Sequence, residues 1–158
     1  MSHRRWHGAH MPRLTRRAAL GVLAAALAPA ARAEPLFLNS LGYVIDGYDP
    51  VAYFELEEAV KGTLDHAFET DEGSWLFSRI EYLELFEANP ERYIPQFGGF
   101  DAEGMARGFK RRSDPTLWVM IDDKIYLHYS IPDQNRWAED IRGNIRQAEE
   151  NWKELESF

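Results

Sequence analysis

The 158-residue chain contains no cysteine. That absence excludes disulfides, thiolate metal sites, thiol catalysis and lipoprotein anchoring. Histidine is scarce as well: beyond residue 33 only His66 and His128 occur. There is no nucleophile elbow, phosphate-cradling glycine loop, dinucleotide fingerprint or paired-histidine zinc helix. Acidic residues are missing from residues 1–33, which carry six arginines and no Asp or Glu. The rest holds 12 Lys and Arg against all 26 Asp and Glu, a formal charge of −14. So acidic a domain is a poor partner for nucleic acid or an anionic membrane surface.

The acid-free start has three zones. Arg4, Arg5, Arg13, Arg16 and Arg17 form a basic beginning, residues 18–30 are an uncharged run rich in Ala and Leu, and Ala31-Arg32-Ala33 ends it with small residues. This is the pattern of a secretory leader cleaved near Ala33. At about 1.5 Å per residue the apolar run is too short to be a stable membrane anchor. In Thr15-Arg16-Arg17-Ala18-Ala19-Leu20, adjacent arginines stand just before a mildly apolar run. That resembles the signal read by the twin-arginine translocase, which exports folded proteins. The expectation is a periplasmic or secreted bacterial protein with the translocase as its export partner. Met11 is a candidate start beside Met1.

Residues 34–158 suit one domain with one core. Residues 34–41 read as an extended tail. Asp49-Pro50 caps a short helix. A hairpin follows, with His66, Phe68 and Thr70 on one arm, a bend at Asp71-Glu72-Gly73, and Trp75 to Phe77 on the other. Ser78 with Glu81 forms a capping box for a helix whose buried stripe is Ile80, Leu83 and Phe86. Gly98-Gly99 between aromatics signals positive φ or close backbone approach. Asp101 caps the next short helix. A second hairpin runs through Leu117–Ile121, Asp122-Asp123 and Lys124–Tyr129. Two helices close the chain, the second capped by Asn144 with Ile145, Ala148, Trp152 and Leu155 as its apolar stripe. The class is α+β: two hairpins and several short helices, with the C-terminal helix packed on the core.

Several segments together resemble the YHS family, small domains often associated with metal binding. The carrying pieces are Gly47-Tyr48-Asp49-Pro50-Val51-Ala52-Tyr53-Phe54, Trp75-Leu76-Phe77-Ser78, Phe86-Glu87-Ala88-Asn89-Pro90-Glu91-Arg92-Tyr93, Gln96-Phe97-Gly98-Gly99-Phe100 and Lys124-Ile125-Tyr126-Leu127. The closing region from Trp137 to Trp152 also takes part. The resemblance covers nearly all of residues 42–158. It implies the fold and a role in handling a metal ion. The departures are specific: where metal-associated relatives carry cysteines, this chain has Ser78 and Tyr82, and the exported branch's cysteine is replaced by Asp101. A soft-metal thiolate site therefore does not carry over.

The remaining candidate metal ligands are Asp101 and His128, joined by His66, which would hold a divalent ion through imidazole and carboxylate. The plain alternative makes His128 a strand residue and Asp101 a helix cap. Tyr48, Asp49, Tyr53, Gly98, Gly99 and Phe100 are candidates for a small-organic-ligand pocket near the Gly-Gly loop. Arg107, Lys110, Arg111 and Arg112 are either a docking patch for an acidic partner or small anion, or a solvated loop. The expected function is an exported binding or accessory protein. The alternative is a small enzyme using His128, Asp101 and a tyrosine such as Tyr48.

Overall fold

The computed structural model describes residues 35–155. The leader, its cleavage near Ala33 and the choice between Met1 and Met11 lie outside the described residues. No helix among the described residues is long and apolar enough to cross a membrane.

Two antiparallel hairpins are stapled by short helices into the expected α+β domain. In the first hairpin β1 (Thr63–Glu69) pairs with β2 (Ser74–Phe77), placing Phe68 opposite Trp75. Thr70 closes the bend, its amide and its hydroxyl both donating to the Gly73 carbonyl. In the second, β3 (Asp114–Ile121) pairs with β4 (Lys124–His128). Asp122 and Asp123 adopt φ of +53° and +57°, the left-handed pair that a two-residue type I′ turn requires. Around the hairpins lie α1 (Ala52–Glu55), α2 (Ile80–Ala88), α3 (Pro90–Tyr93), α4 (Ala102–Ala106), α5 (Ile131–Glu139) and α6 (Ile141–Leu155).

Strand β4 is the wall between two apolar clusters, and side-chain alternation explains how. Ile125 and Leu127 face the cluster of Ile45, Tyr53, Phe77 and Phe86. Tyr126 faces the cluster of Met105, Trp137, Ala148 and Trp152. A strand covered on both sides loses the polar face that would mark it as half-exposed. His128, last on the strand, is fully buried as a result and lies 5.6 Å edge-on from the Trp137 ring.

Four local expectations need correction. Ser78 does not cap α2: its hydroxyl donates to Asp49 Oδ2 at 2.7 Å, and the residue preceding the helix, Arg79, makes no side-chain cap. The buried stripe of α2 is Tyr82 and Phe86 with Leu83 beside them, whereas Ile80 is exposed. The α5–α6 boundary falls at Asp140, whose carboxylate accepts from the Gly143 amide at 2.9 Å. Asn144 lies inside α6, and its side chain donates back to the Trp137 carbonyl at 3.0 Å. The stripe of α6 itself holds, with Ala148 and Trp152 buried against the second cluster.

The segment after residue 35 is extended but pinned. The Phe37 amide donates to the Gly98 carbonyl at 2.8 Å, and its ring lies 6.0 Å from that of Phe100. The Gly-Gly loop admits this approach because both glycines are needed. Gly98 and Gly99 have φ of +61° and +83°, and a Cβ on Gly98 would stand 2.0 Å from the Pro35 carbonyl oxygen. A Cβ on Gly99 would stand 2.4 Å from Ile45 Cγ2. Ile45 itself has φ of +44°, strained for a β-branched residue and held there by the core.

Candidate functional site

Asp101 and His128 do come together. Asp101 begins α4 and bridges to Leu127 of β4, so its side chain meets the end of that strand. His128 Nδ1 stands 3.9 Å from Asp101 Oδ1, and both side chains are fully buried. The carboxylate is already committed. Oδ1 accepts from the Tyr129 amide at 3.0 Å. Oδ2 accepts from the Gly104 amide at 2.9 Å and from Arg111 Nε at 3.1 Å. The second arginine nitrogen also donates to Oδ2. Both sequence readings of Asp101 thus meet at one residue: it caps α4, and it neighbours His128.

A charge network surrounds this pair. Arg111 Nη2 also reaches Asp133 Oδ2 at 3.0 Å. Arg136 binds Glu103 through Nε at 3.2 Å and pairs with Asp133. Burial works to raise the Asp133 carboxyl, but the bonds from Ser130 and Arg111 and the charges of Arg111 and Arg136 outweigh it and hold it below the usual range. Burial wins at Glu103, whose carboxyl is raised despite Arg136. Burial also pushes His128 down to about 4, against the pull of Asp101 and Asp133, so the imidazole is neutral. Neither of its ring nitrogens, nor Trp137 Nε1, has a hydrogen-bond partner among the described residues.

His66 does not join them. It is a partly buried residue of β1, in the other sheet, and among the described residues no group of three or more His, Asp or Glu could hold a metal ion. A guanidinium on the Asp101 carboxylate also opposes a second cation there.

The basic cluster is dispersed. Arg111 is spent on Asp101 and Asp133, with its guanidinium 4.2 Å from the Tyr129 ring centre. Lys110 lies 5.3 Å over the Phe100 ring. Arg107 follows the C-terminus of α4, and Arg112 lines a polar cleft of about 640 Å³ with Asp46, Ser113 and Asp114.

The larger cleft, about 810 Å³, opens beside the Gly-Gly loop. One wall is Phe68 and Trp75 of the first hairpin with Phe86 of α2, their rings 5.0 to 5.8 Å apart. Ile94, Phe97 and Trp152 also line it, the last two 6.1 Å apart. Trp75, Phe86, Phe97 and Trp152 are all buried side chains that form its floor rather than projecting into it. Its lining also includes Thr70, Glu72, Glu91, Gln96, Glu149 and Lys153, four of which (the three glutamates and the lysine) are exposed. Of the six residues expected to line a ligand pocket, Gly98 lines this cleft. The other five line neither cleft.

Those five have structural posts. Asp49, fully buried, accepts from the Val51 and Ala52 amides at 2.9 and 3.3 Å and from the Ser78 amide and hydroxyl at 2.7 Å each. Tyr53 is a core residue whose hydroxyl donates to the Pro115 carbonyl at 2.8 Å, and burial raises its phenol strongly. Tyr48 carries the Lys61 ammonium 4.2 Å over its ring. Gly99 gives way to Ile45, and Phe100 is sandwiched between Phe37 and Trp152.

Nothing in the sequence singles out Phe68, Trp75, Phe86 and Trp152 as residues of a cleft. Their one sequence signal is the surplus of aromatics, and it does not separate a cleft wall from a core. Comparison with family models, with curated proteins and with solved structures finds no match to this chain.

Proposed function

We propose that this is an exported, YHS-like binding protein whose ligand is a small, largely apolar organic molecule held in the aromatic cleft beside the Gly-Gly loop. One observation carries the reading: about 810 Å³ of concave space lined by aromatic, aliphatic and proline side chains, with exposed polar side chains among them. Ligand sites of roughly 300–1,000 Å³ have this make-up, apolar walls giving affinity and a few polar groups giving orientation. The walls come from a hairpin, two helices and a loop held by paired glycines, so they are ordered before a ligand arrives.

The test is titration of the full chain with N-phenyl-1-naphthylamine, a neutral fluorophore that brightens in apolar surroundings. A saturable rise at micromolar probe is expected, weakened several-fold in Ile94→Gln while the melting temperature holds. No rise would remove the proposal. The export half rests on Arg16-Arg17. Replacing both by lysine is expected to strand the protein in the cytoplasm, and undiminished export would refute that route.

A second reading, an ion held at Asp101 and His128, has one observation in its favour: two unpartnered ring nitrogens beside a carboxylate. It stands second because the oxygens of Asp101 already accept from backbone amides and Arg111. Calorimetric titration with zinc, copper and nickel, showing heat that His128→Gln abolishes, would reverse the order.

A further inference from the structure

We infer that the cleft's ligand carries an uncharged carbonyl group, received by the indole N–H of Trp75 and the carboxamide of Gln96; this rests on the cleft reading above. Trp75 belongs to β2, is 2 % exposed and lines the cleft. Its Nε1 has no hydrogen-bond partner among the described residues, yet it differs from the nitrogens of His128 and Trp137, which are sealed from solvent as well as unpartnered. The Trp75 N–H therefore keeps access to solvent, and for a side chain so nearly covered that access is through the cleft it lines. A donor left open at the floor of an apolar hollow calls for an acceptor.

Gln96 supplies the second group. It is half-buried, lines the same cleft, and its carboxamide has no hydrogen-bond partner among the described residues. The other uncharged polar side chain of the lining is spent, since the Thr70 hydroxyl donates to the Gly73 carbonyl and accepts from the Gly73 amide. The backbone that carries Gln96 is fixed on both sides. Pro95 precedes it, and Phe97 follows with φ of +56° and ψ of +37°, a left-handed conformation that a non-glycine residue keeps only under constraint. The constraint is the buried Phe97 ring, 6.0 Å from that of Tyr126 and 6.1 Å from that of Trp152. One indole N–H and one carboxamide, from a strand and a separate loop, offer donors that suit the two lone pairs of a carbonyl oxygen. An ion set against the same floor would lose more hydration than these two uncharged groups return.

The experiment uses the full-length protein with butyrophenone and butylbenzene, which differ in a carbonyl for a methylene. Displacement of N-phenyl-1-naphthylamine gives the two dissociation constants, and comparing their ratio between parent and variant removes the hydrophobic part that both ligands share. In Gln96→Leu the ketone is expected to bind roughly five-fold more weakly, the worth of one neutral hydrogen bond, with butylbenzene unchanged or tighter. In the NMR spectrum the Trp75 indole proton, assigned with Trp75→Phe, is expected to move further downfield with butyrophenone than with butylbenzene. A ratio that Gln96→Leu leaves unchanged overturns the inference and leaves the cleft standing as a purely apolar site. So does an indole proton that shifts equally with both ligands. Failure of the parent to bind either one removes the cleft reading itself and the inference with it.

Discussion

His128 Nδ1 lies 3.9 Å from Asp101 Oδ1 with both side chains sealed from solvent, and no hydrogen bond joins them. The carboxylate is turned instead to Arg111 and to two backbone amides. What the sequence offers as a metal pair is built as the junction of α4, β4 and α5. Its behaviour on titration and substitution follows from that.

Acid sensitivity comes first. His128 titrates at 6.5 when exposed and about 4 in the fold, because burial disfavours its charged form. A depressed imidazole contributes stability that is complete above the unfolded value and lost as pH falls toward the folded one. Between pH 6.5 and 4 it should remove about 1.4 kcal/mol per unit, about 3 kcal/mol in all. His128→Leu should flatten that limb. It should also be neutral or stabilising at pH 7, because it deletes two buried nitrogens that have no partner among the described residues. Denaturant midpoints at pH 7, 6, 5 and 4 check both. A limb as steep in the variant as in the parent would contradict the assignment.

Arg111 is the counterion of a fully buried carboxylate. Removing one partner of such a pair leaves an uncompensated charge, at a cost of about 3–5 kcal/mol. Arg111→Met should therefore destabilise by this amount at pH 7, and Arg112→Met, whose side chain is exposed, by less than about 0.5 kcal/mol. Equal effects in chemical denaturation would return Arg111 to the solvated loop.

Asp49 joins α1 to the end of β2 through four hydrogen bonds. Asp49→Ala leaves three amides and a hydroxyl without their acceptor and should cost about 2–4 kcal/mol. Ser78→Ala, which removes one of the four, should cost about 1 kcal/mol. A ligand-binding Asp49 would show the reverse pattern, little loss of stability and a loss of probe binding.

The glycine pair gives a graded expectation. In Gly98→Ala the new methyl meets a backbone oxygen at 2.0 Å, which no rotamer change relieves. In Gly99→Ala it meets Ile45 Cγ2 at 2.4 Å, and that methyl belongs to a side chain. Both also carry the positive-φ penalty, about 1 kcal/mol. Thermal melts should show both destabilised by more than this penalty alone, Gly98→Ala the more.

Much of the framework is legible in the residues because the responsible interactions are local. Asp122-Asp123 between β-rich arms reads as a turn, and both residues adopt the required left-handed backbone. Asp101 reads as a cap and accepts from the Gly104 amide. Local reading fails where a distant partner competes. Ser78 belongs to Asp49, 29 residues away, rather than to its own helix. A nearer competitor can win as well: Asp140 takes the Gly143 amide three residues on, and α6 starts ahead of Asn144. The candidate site was the least legible part. Asp101 and His128 were paired from residue chemistry, and they are neighbours. Their burial and the claim of Arg111 on the carboxylate depend on β4 being covered on both faces. The cleft is assembled from residues as far apart as Phe68 and Trp152, so no window of sequence contains it.

The most direct measurement is an amide NMR titration of the full chain with N-phenyl-1-naphthylamine. Shift changes confined to residues 68–75, 86–98 and 149–153, saturating with the fluorescence titration, are the expected result. Changes centred on Asp101, His128 and Asp133 with none in the cleft, or no changes anywhere, would contradict a binding function for the aromatic cleft.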